Sequence, residues 1–258
     1  MKKAHGPKRQ KVFLIMNKIL LEVAVFTLHG ALEAIEAGAD RLELCENALD
    51  GGTTPSKSTL DFIHAHSPIP VFPIIRARGG DFVYSEQEKK VMLADIMYCR
   101  SRGFKGVVSG GLLRDGQIDA DFLMRCIDVA GTMEFTFHRA FDRCLNPLES
   151  MELIISYGAK RILSSGQYPV LPDGIPLLKK MVKKAGNRLI VLPGSGLTQH
   201  TVVQVVKETG VKEVHTSARK SMQHPTTFQP STFPESMSYT GVDAQEIKAI
   251  KALLATCV

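Results

Sequence analysis

A chain of 258 residues that is 44% hydrophobic and 22% charged can bury one sizeable core unaided, which excludes a disordered chain and a disulfide-stapled miniprotein. Its formal charge of +6 is carried ahead of residue 19 by Lys2, Lys3, Lys8, Arg9, Lys11 and Lys18, so the remainder is formally neutral and specific nucleic-acid binding is not expected. Residues 12–16 are too short an apolar run for a secretory signal, nothing is long and apolar enough to span a bilayer, and five widely spaced cysteines without a C-x-x-C pair point to a reducing, cytoplasmic setting.

After the basic arm, residues 1–18, the first β-rich run covers 19–25. Helical periodicity follows from 28 to 37 and stops at Gly38, and a second strand is predicted over 41–45. The third strand, 71–76, leads to a helix over 85–102 that opens with a Ser85-x-x-Glu88 capping box and ends at Gly103. Strands at 106–109, 134–138, 161–164, 189–192 and 213–216 continue the alternation, with Asn146-Pro147 opening a helix that stops at Gly158. Residues 220–240, rich in Pro, Ser and Thr and without periodicity, read as a long surface loop. Asp243 and Glu246, at capping-box spacing, then head the last helix, to 255.

Eight short strands alternating with helices predict an α/β fold, a single-domain (β/α)8 TIM barrel over 19–258, a fold that typically takes about 250 residues. An open doubly wound sheet would want a Gly-rich turn after the first strand, and none follows Val25.

In such a barrel the outward face of each strand packs on helices and is apolar, while the inward face can turn polar near the C-terminal rim. Alternation sends Leu21, Val23, Val25, Leu42 and Leu44 outward, and Glu22, Glu43 and Cys45 inward. The same parity brings in Arg76, His138, Ser164, His215 and Ser217. Burying these charges costs several kcal/mol per ion, so they must pair with one another or meet a ligand. The structural alternative is a Glu/Arg network filling the barrel floor.

The loops after the strands suggest an anion site. Gly79 and Gly80 follow Arg76 and Arg78, offering N–H groups and guanidinium forks to a carboxylate or phosphate. Gly194, Ser195 and Gly196 after the seventh strand, with Ser217 and Arg219 after the eighth, stand where many barrels cradle phosphate, ahead of a helix N-terminus.

Taken together, Leu21-Glu22-Val23, Arg41-Leu42-Glu43-Leu44-Cys45, Gly51-Gly52-Thr53-Thr54-Pro55-Ser56, Arg76-x-Arg78-Gly79-Gly80-Asp81-Phe82, Thr136-Phe137-His138-Arg139-Ala140-Phe141-Asp142 and Ser217-Ala218-Arg219 resemble the CutC copper homeostasis family from residue 19 to residue 219. The resemblance implies a cytoplasmic (β/α)8 barrel, a homodimer or higher homo-oligomer, with a role in copper homeostasis and copper(I) as a ligand. Copper(I) prefers two or three soft ligands held together. Cys45 is the leading candidate and Cys144 the second, but Ala24 stands where some relatives place a strand-one cysteine, so a neighbouring-strand thiol pair is missing.

Two functions compete on these residues. One is copper(I) binding through Cys45, assisted by His138, Cys144 or His215. The other is an enzyme for a small anionic, phosphorylated or sugar-like substrate, a lyase, isomerase or metal-assisted hydrolase. There Glu22 and Glu43 serve as acid and base, His138 or His215 assists, Arg76, Arg78, Ser164, Ser217, Arg219 and the glycine loop hold the anion, and a divalent metal is within the reach of the carboxylates and histidine.

Overall fold

Eight parallel strands and their crossover helices carry the chain: β1 (Leu20–Val25), α1 (Leu28–Glu36), β2 (Arg41–Leu44), α2 (Lys57–His66), β3 (Val71–Pro73), α3 (Glu86–Arg102), β4 (Gly106–Ser109), α4 (Ala120–Ala130), β5 (Glu134–Phe137), α5 (Pro147–Ser156), β6 (Arg161–Ser164), α6 (Leu171–Ala185), β7 (Ile190–Pro193), α7 (Val202–Thr209), β8 (Glu213–Thr216) and α8 (Ala244–Ala255). They are taken from a computed structural model that describes residues 18–223, 226–228, 230–232 and 236–257. All but the last residue of the basic arm thus lies outside the described residues.

The strands form two four-stranded parallel sheets, β3-β2-β1-β8 and β4-β5-β6-β7. An isolated parallel bridge between Ile74 and Val108 joins them on one side. On the other, β7 runs beside β8 without a ladder among the described residues. The ring order is therefore that of a (β/α)8 barrel. Alternation decides what lies on either side of it: Leu21, Val23, Val25, Leu42 and Leu44 are fully buried in the cluster shared with the helices, while Cys45, Phe72, Ile74 and Val108 form a second, inner cluster.

Helix punctuation follows side-chain chemistry. Ser85 Oγ accepts from the Glu88 amide and Glu88 Oε2 accepts from the Ser85 amide at 2.7 Å, so both halves of the capping box form, and Gly103 ends α3 at φ 84°. At α8 only half of the expected box forms. Asp243 caps the helix, but the Glu246 carboxylate turns away to accept from the backbone and side-chain amides of Gln199, each at 2.7 Å, and so ties α8 to the loop after β7.

The region read as a loop is also framed by structure. β9 (Arg219–Met222) and β10 (Tyr239–Val242) pair antiparallel at its two ends. Arg-Lys-Ser-Met in the exposed strand β9 carries no apolar alternation, so it has no period-2 pattern to betray it. No helix among the described residues is long and apolar enough to cross a membrane.

The floor of the barrel is ionic. Arg41, Arg161 and Glu213 open β2, β6 and β8, and all three are buried. Glu213 accepts from Arg41 Nη2 at 2.6 Å and from Arg161 Nε at 2.7 Å, Arg161 reaches Glu134 at 2.6 Å, and Arg41 also pairs with Glu22. Both guanidinium groups lie over the Phe72 ring, 5.0 and 5.4 Å from its centroid. A Glu/Arg network therefore does occupy the floor, but of the buried charges expected from the sequence only Glu22 belongs to it; Glu43 and Arg76 line the cavity above.

Candidate functional site

At the C-terminal ends of the strands opens a cavity of about 720 Å³. Its buried end is lined by Glu43 and His215. Glu43 sits between the outward-facing Leu42 and Leu44 on β2, and His215 lies in register with Glu22 across the β1–β8 ladder. These positions place a continuous polar chain inside the barrel: Arg41 to Glu22, Glu22 Oε1 to His215 Nδ1 at 2.8 Å, and His215 Nε2 to Glu43 Oε2 at 3.8 Å. Glu22 itself does not line the cavity; it orients His215 from behind.

The electrostatics separate the two carboxylates. Burial alone would raise Glu22, but the Arg41 charge and the hydrogen bond from His215 outweigh it and hold the group down at about 2. Glu43 has no arginine contact of that kind. Burial dominates there and, with the charge of Glu22, raises it to about 7 against the pull of His215. For His215 burial opposes protonation, yet the bond to Glu22 and the charges of Glu43 and Glu22 leave its pKa raised. At the cavity wall Glu43 and His215 are thus both held toward their protonated forms, while Glu22 behind them is held toward its ionised one.

His138, at the end of β5, lines the opposite wall. It is buried, and burial followed by the nearby Arg76 charge lowers it to about 3, so the ring is neutral. Arg76 also lines the cavity, with its guanidinium fixed by the carbonyl oxygens of Asp50 (2.6 Å), Gly52 (3.0 Å) and Gly80 (2.8 Å). Ser195, Gly196, Ser217 and Arg219 complete the expected set, with Arg219 stacked on the Phe26 ring at 4.5 Å. Gly194 contributes differently: a β-carbon there would lie 2.5 Å from Leu163 Cδ1 and 3.0 Å from His215 Cδ2, so the missing side chain is what lets His215 sit where it does.

Other expected members stand apart from the cavity. Arg78 does not line it; its guanidinium pairs with Asp81 and Glu88 and packs over Tyr84, holding the loop after β3 to the start of α3. Ser164 donates to Asp142 Oδ1 at 2.6 Å instead of facing the space. The helix after the Gly194 loop begins only at Val202, and the Thr198 amide is already capped by Thr201 Oγ1, so no helix N-terminus directly follows the glycines. Cys144 belongs to the outer core and Cys45 to the inner cluster; neither thiol lines the cavity.

Several lining residues escaped the sequence reading: Arg139, Asp142, Arg143, Ser165, Gln167 and Tyr168. Asp142 organises this side, accepting from Arg139 Nε at 2.9 Å, from the Ser165 amide at 2.9 Å and from the Gln167 amide at 3.3 Å. Asp142 lies four residues beyond the strand-end His138, in the short 3-10 turn Arg139–Arg143, a position that no periodic pattern marks. Non-glycine residues with positive φ mark the same face: Asn47, Gln167, Ser195 and Ala218 all lie in loops after strand C-termini.

A (β/α)8 barrel with a buried Glu–His pair and a basic rim at its C-terminal mouth is the class that fold and cavity define. The CutC family model matches residues 19–220, and the chain belongs to the CutC family. A copper homeostasis protein CutC homolog of Homo sapiens is 38% identical over 84% of this chain and 79% of its own length. A CutC family protein of Parabacteroides distasonis is 38% identical over 90% of this chain and 96% of its own. The CutC crystal structure from Streptococcus agalactiae superposes with a TM-score of 0.73 at 30% identity, covering 77% of this chain and 98% of that one. Phosphoribosylanthranilate isomerase from Thermotoga maritima, at 16% identity and a TM-score of 0.56, shares the barrel fold alone.

Proposed function

We propose that this CutC-family chain is an enzyme performing acid–base chemistry on a small anionic metabolite in the rim cavity. The observation that carries the reading is the Glu43–His215 pair, 3.8 Å apart and lining a space large enough for a metabolite. The anionic character rests on the rim cations. Arg139, Arg143 and Arg219 line the mouth, and the acid beside them, Asp142, is committed to Arg139 and to the loop amides. A screen of small phosphates and carboxylates by ligand-detected NMR should find a binder whose affinity drops about 10-fold or more in Arg219→Ala, the loss of one charge-assisted hydrogen bond. A binder indifferent to Arg219, or no binder, contradicts the reading.

The relatives' name raises copper(I) as a second ligand, with Cys45 as its thiol, and the residues present suit it poorly. Cys45 is surrounded by Phe72, Ile74 and Val108, and burial followed by the charge of Glu43 pushes its thiol well above the ordinary range, so the thiolate that copper(I) requires is disfavoured. A divalent metal fares no better: Glu22 is committed to Arg41 and His215, and no three His, Cys, Asp or Glu side chains among the described residues converge as a ligand set. In anaerobic competition with a chelator, Cys45→Ala should bind copper(I) as the parent does. A loss of about 10-fold or more would restore the copper reading.

We also propose a cytoplasmic location and homo-oligomeric assembly. Five unpaired cysteines support the first and family resemblance the second.

A further inference from the structure

The walls of the cavity differ in kind. Strands β1 to β3 and the loops after them contribute Phe26, Ala48, Leu49, Ile74 and Phe82, whereas β6 and the loops after β5 and β6 contribute Arg139, Asp142, Arg143, Ser165 and Gln167. The apolar wall grows out of the barrel interior: Ile74 belongs to the inner cluster and Phe26 packs against it. Above the buried Glu43, the charged residues of that wall are Arg76, whose guanidinium is turned to the carbonyls of Asp50, Gly52 and Gly80, and Asp50, whose carboxylate packs against Gly79. Arg219, after β8, stands beside Phe26, its guanidinium 4.5 Å from the ring centroid.

Two apolar side chains continue this character to the lip. Leu49, in the loop after β2, is fully exposed, and Tyr168, in the loop after β6, is 51% exposed; both line the cavity, and their strands stand opposite each other in the ring of eight. A single exposed leucine or tyrosine is ordinary. These two, however, sit on backbone that other cavity residues fix. Arg219 Nη1 donates to the Ala48 carbonyl at 3.1 Å and Arg76 Nη1 to the Asp50 carbonyl at 2.6 Å, on either side of Leu49, and Ser165 Oγ donates to the Tyr168 carbonyl at 2.6 Å. Their exposure is therefore built into the rim, and apolar surface held at a cavity mouth is surface that a ligand can cover.

We propose that the ligand of this cavity is an amphipathic organic anion, an acidic group joined to an apolar body, and not a polyhydroxylated sugar phosphate. The apolar body lies along Phe26 and Ile74 and reaches the lip at Leu49 and Tyr168; the acidic group lies at Arg139, Arg143 and Arg219. This inference rests on the reading above that the site takes a small anion, and adds what that anion carries. Hydroxyl groups laid on the apolar wall would lose water without gaining partners, so the same wall that favours an apolar body discriminates against a polyol.

The test uses the full chain and three probes with one phosphate group in common: methyl phosphate, glycerol 3-phosphate and phenyl phosphate, with Kd measured by calorimetry. Phenyl phosphate should bind at least about 10-fold more tightly than methyl phosphate, the worth of roughly two buried methylenes, and glycerol 3-phosphate should gain less than about 3-fold. In the double variant Leu49→Ala, Tyr168→Ala, both at exposed positions where truncation spares the core, the ratio of the phenyl to the methyl affinity should fall by about 3-fold or more. If phenyl phosphate gains nothing over methyl phosphate, or glycerol 3-phosphate equals it, the apolar body is wrong and the anion reading stands. A phenyl advantage that survives the double variant undiminished overturns the place assigned to that body. If none of the three binds, both readings fall together.

Discussion

Arg41→Ala should cost about 3–5 kcal/mol of folding stability, the range for removing one partner of a buried ion pair. Arg41 is 2% exposed and serves two carboxylates, Glu22 and Glu213. Glu213 keeps Arg161, but Glu22 is left with only the imidazole of His215, in a place where water does not reach. Urea unfolding at neutral pH should show a lower midpoint with an unchanged slope. The pH dependence should shift too. The folded pKa of Glu22 lies below its ordinary 4.5, so its contribution is present above that value and lost as pH falls through about 2. Without Arg41 the carboxyl must rise, and acid unfolding must begin at higher pH. A loss below about 1 kcal/mol, typical of surface pairs, would mean that the floor network does not hold the barrel in the way described.

Glu43→Gln should lower turnover of the cavity's substrate by about 10²–10⁴-fold, the usual share of a general base, while leaving the fold intact. Activity of the parent should rise with pH through about 7, where the raised carboxyl ionises, and not near 4.5. Stability should move the opposite way. A folded pKa above the unfolded one contributes stability that is full below 4.5 and lost as pH climbs through about 7. Glutamine has no proton to lose, so the variant should gain on the parent as pH increases from 4 to 8, and paired urea titrations at those two values would show it. A residue whose charge costs stability, and whose removal costs activity, is what a functional carboxylate requires.

Much of this arrangement is legible from the order of residues, because a strand's side chains alternate and its outer face must be greasy. That rule alone puts Glu43 and His215 inside, and they do meet. It cannot tell depth along the strand from parity, and so it set Glu22 and Glu43 side by side as acid and base when the first lies a layer lower, against Arg41. The floor itself stayed hidden for a related reason: Arg41, Arg161 and Glu213 are first residues of their strands, where a charge reads equally well as the end of a loop. Arg78 misled because two arginines in one glycine-rich loop look alike in sequence. Only the fold shows one guanidinium bonded to three carbonyls at the cavity and the other turned to Glu88. Asp142 and its partners were out of reach because a rim loop has no period, and its hydrogen bonds join residues up to 25 positions apart.

Acid–base chemistry in the cavity requires that Glu43, buried beside His215 and facing open space, hold its proton into the neutral range. Carbon-13 NMR of the glutamate carboxyl groups, with Glu43→Gln to assign the signal, measures this without any substrate. The midpoint expected for Glu43 is near 7, with, in the same titration, no transition for Glu22 down to the acid limit of the fold. A Glu43 midpoint at its ordinary 4.5 would contradict it, since a carboxyl that titrates as if in water is neither buried nor poised to take a proton from a bound molecule.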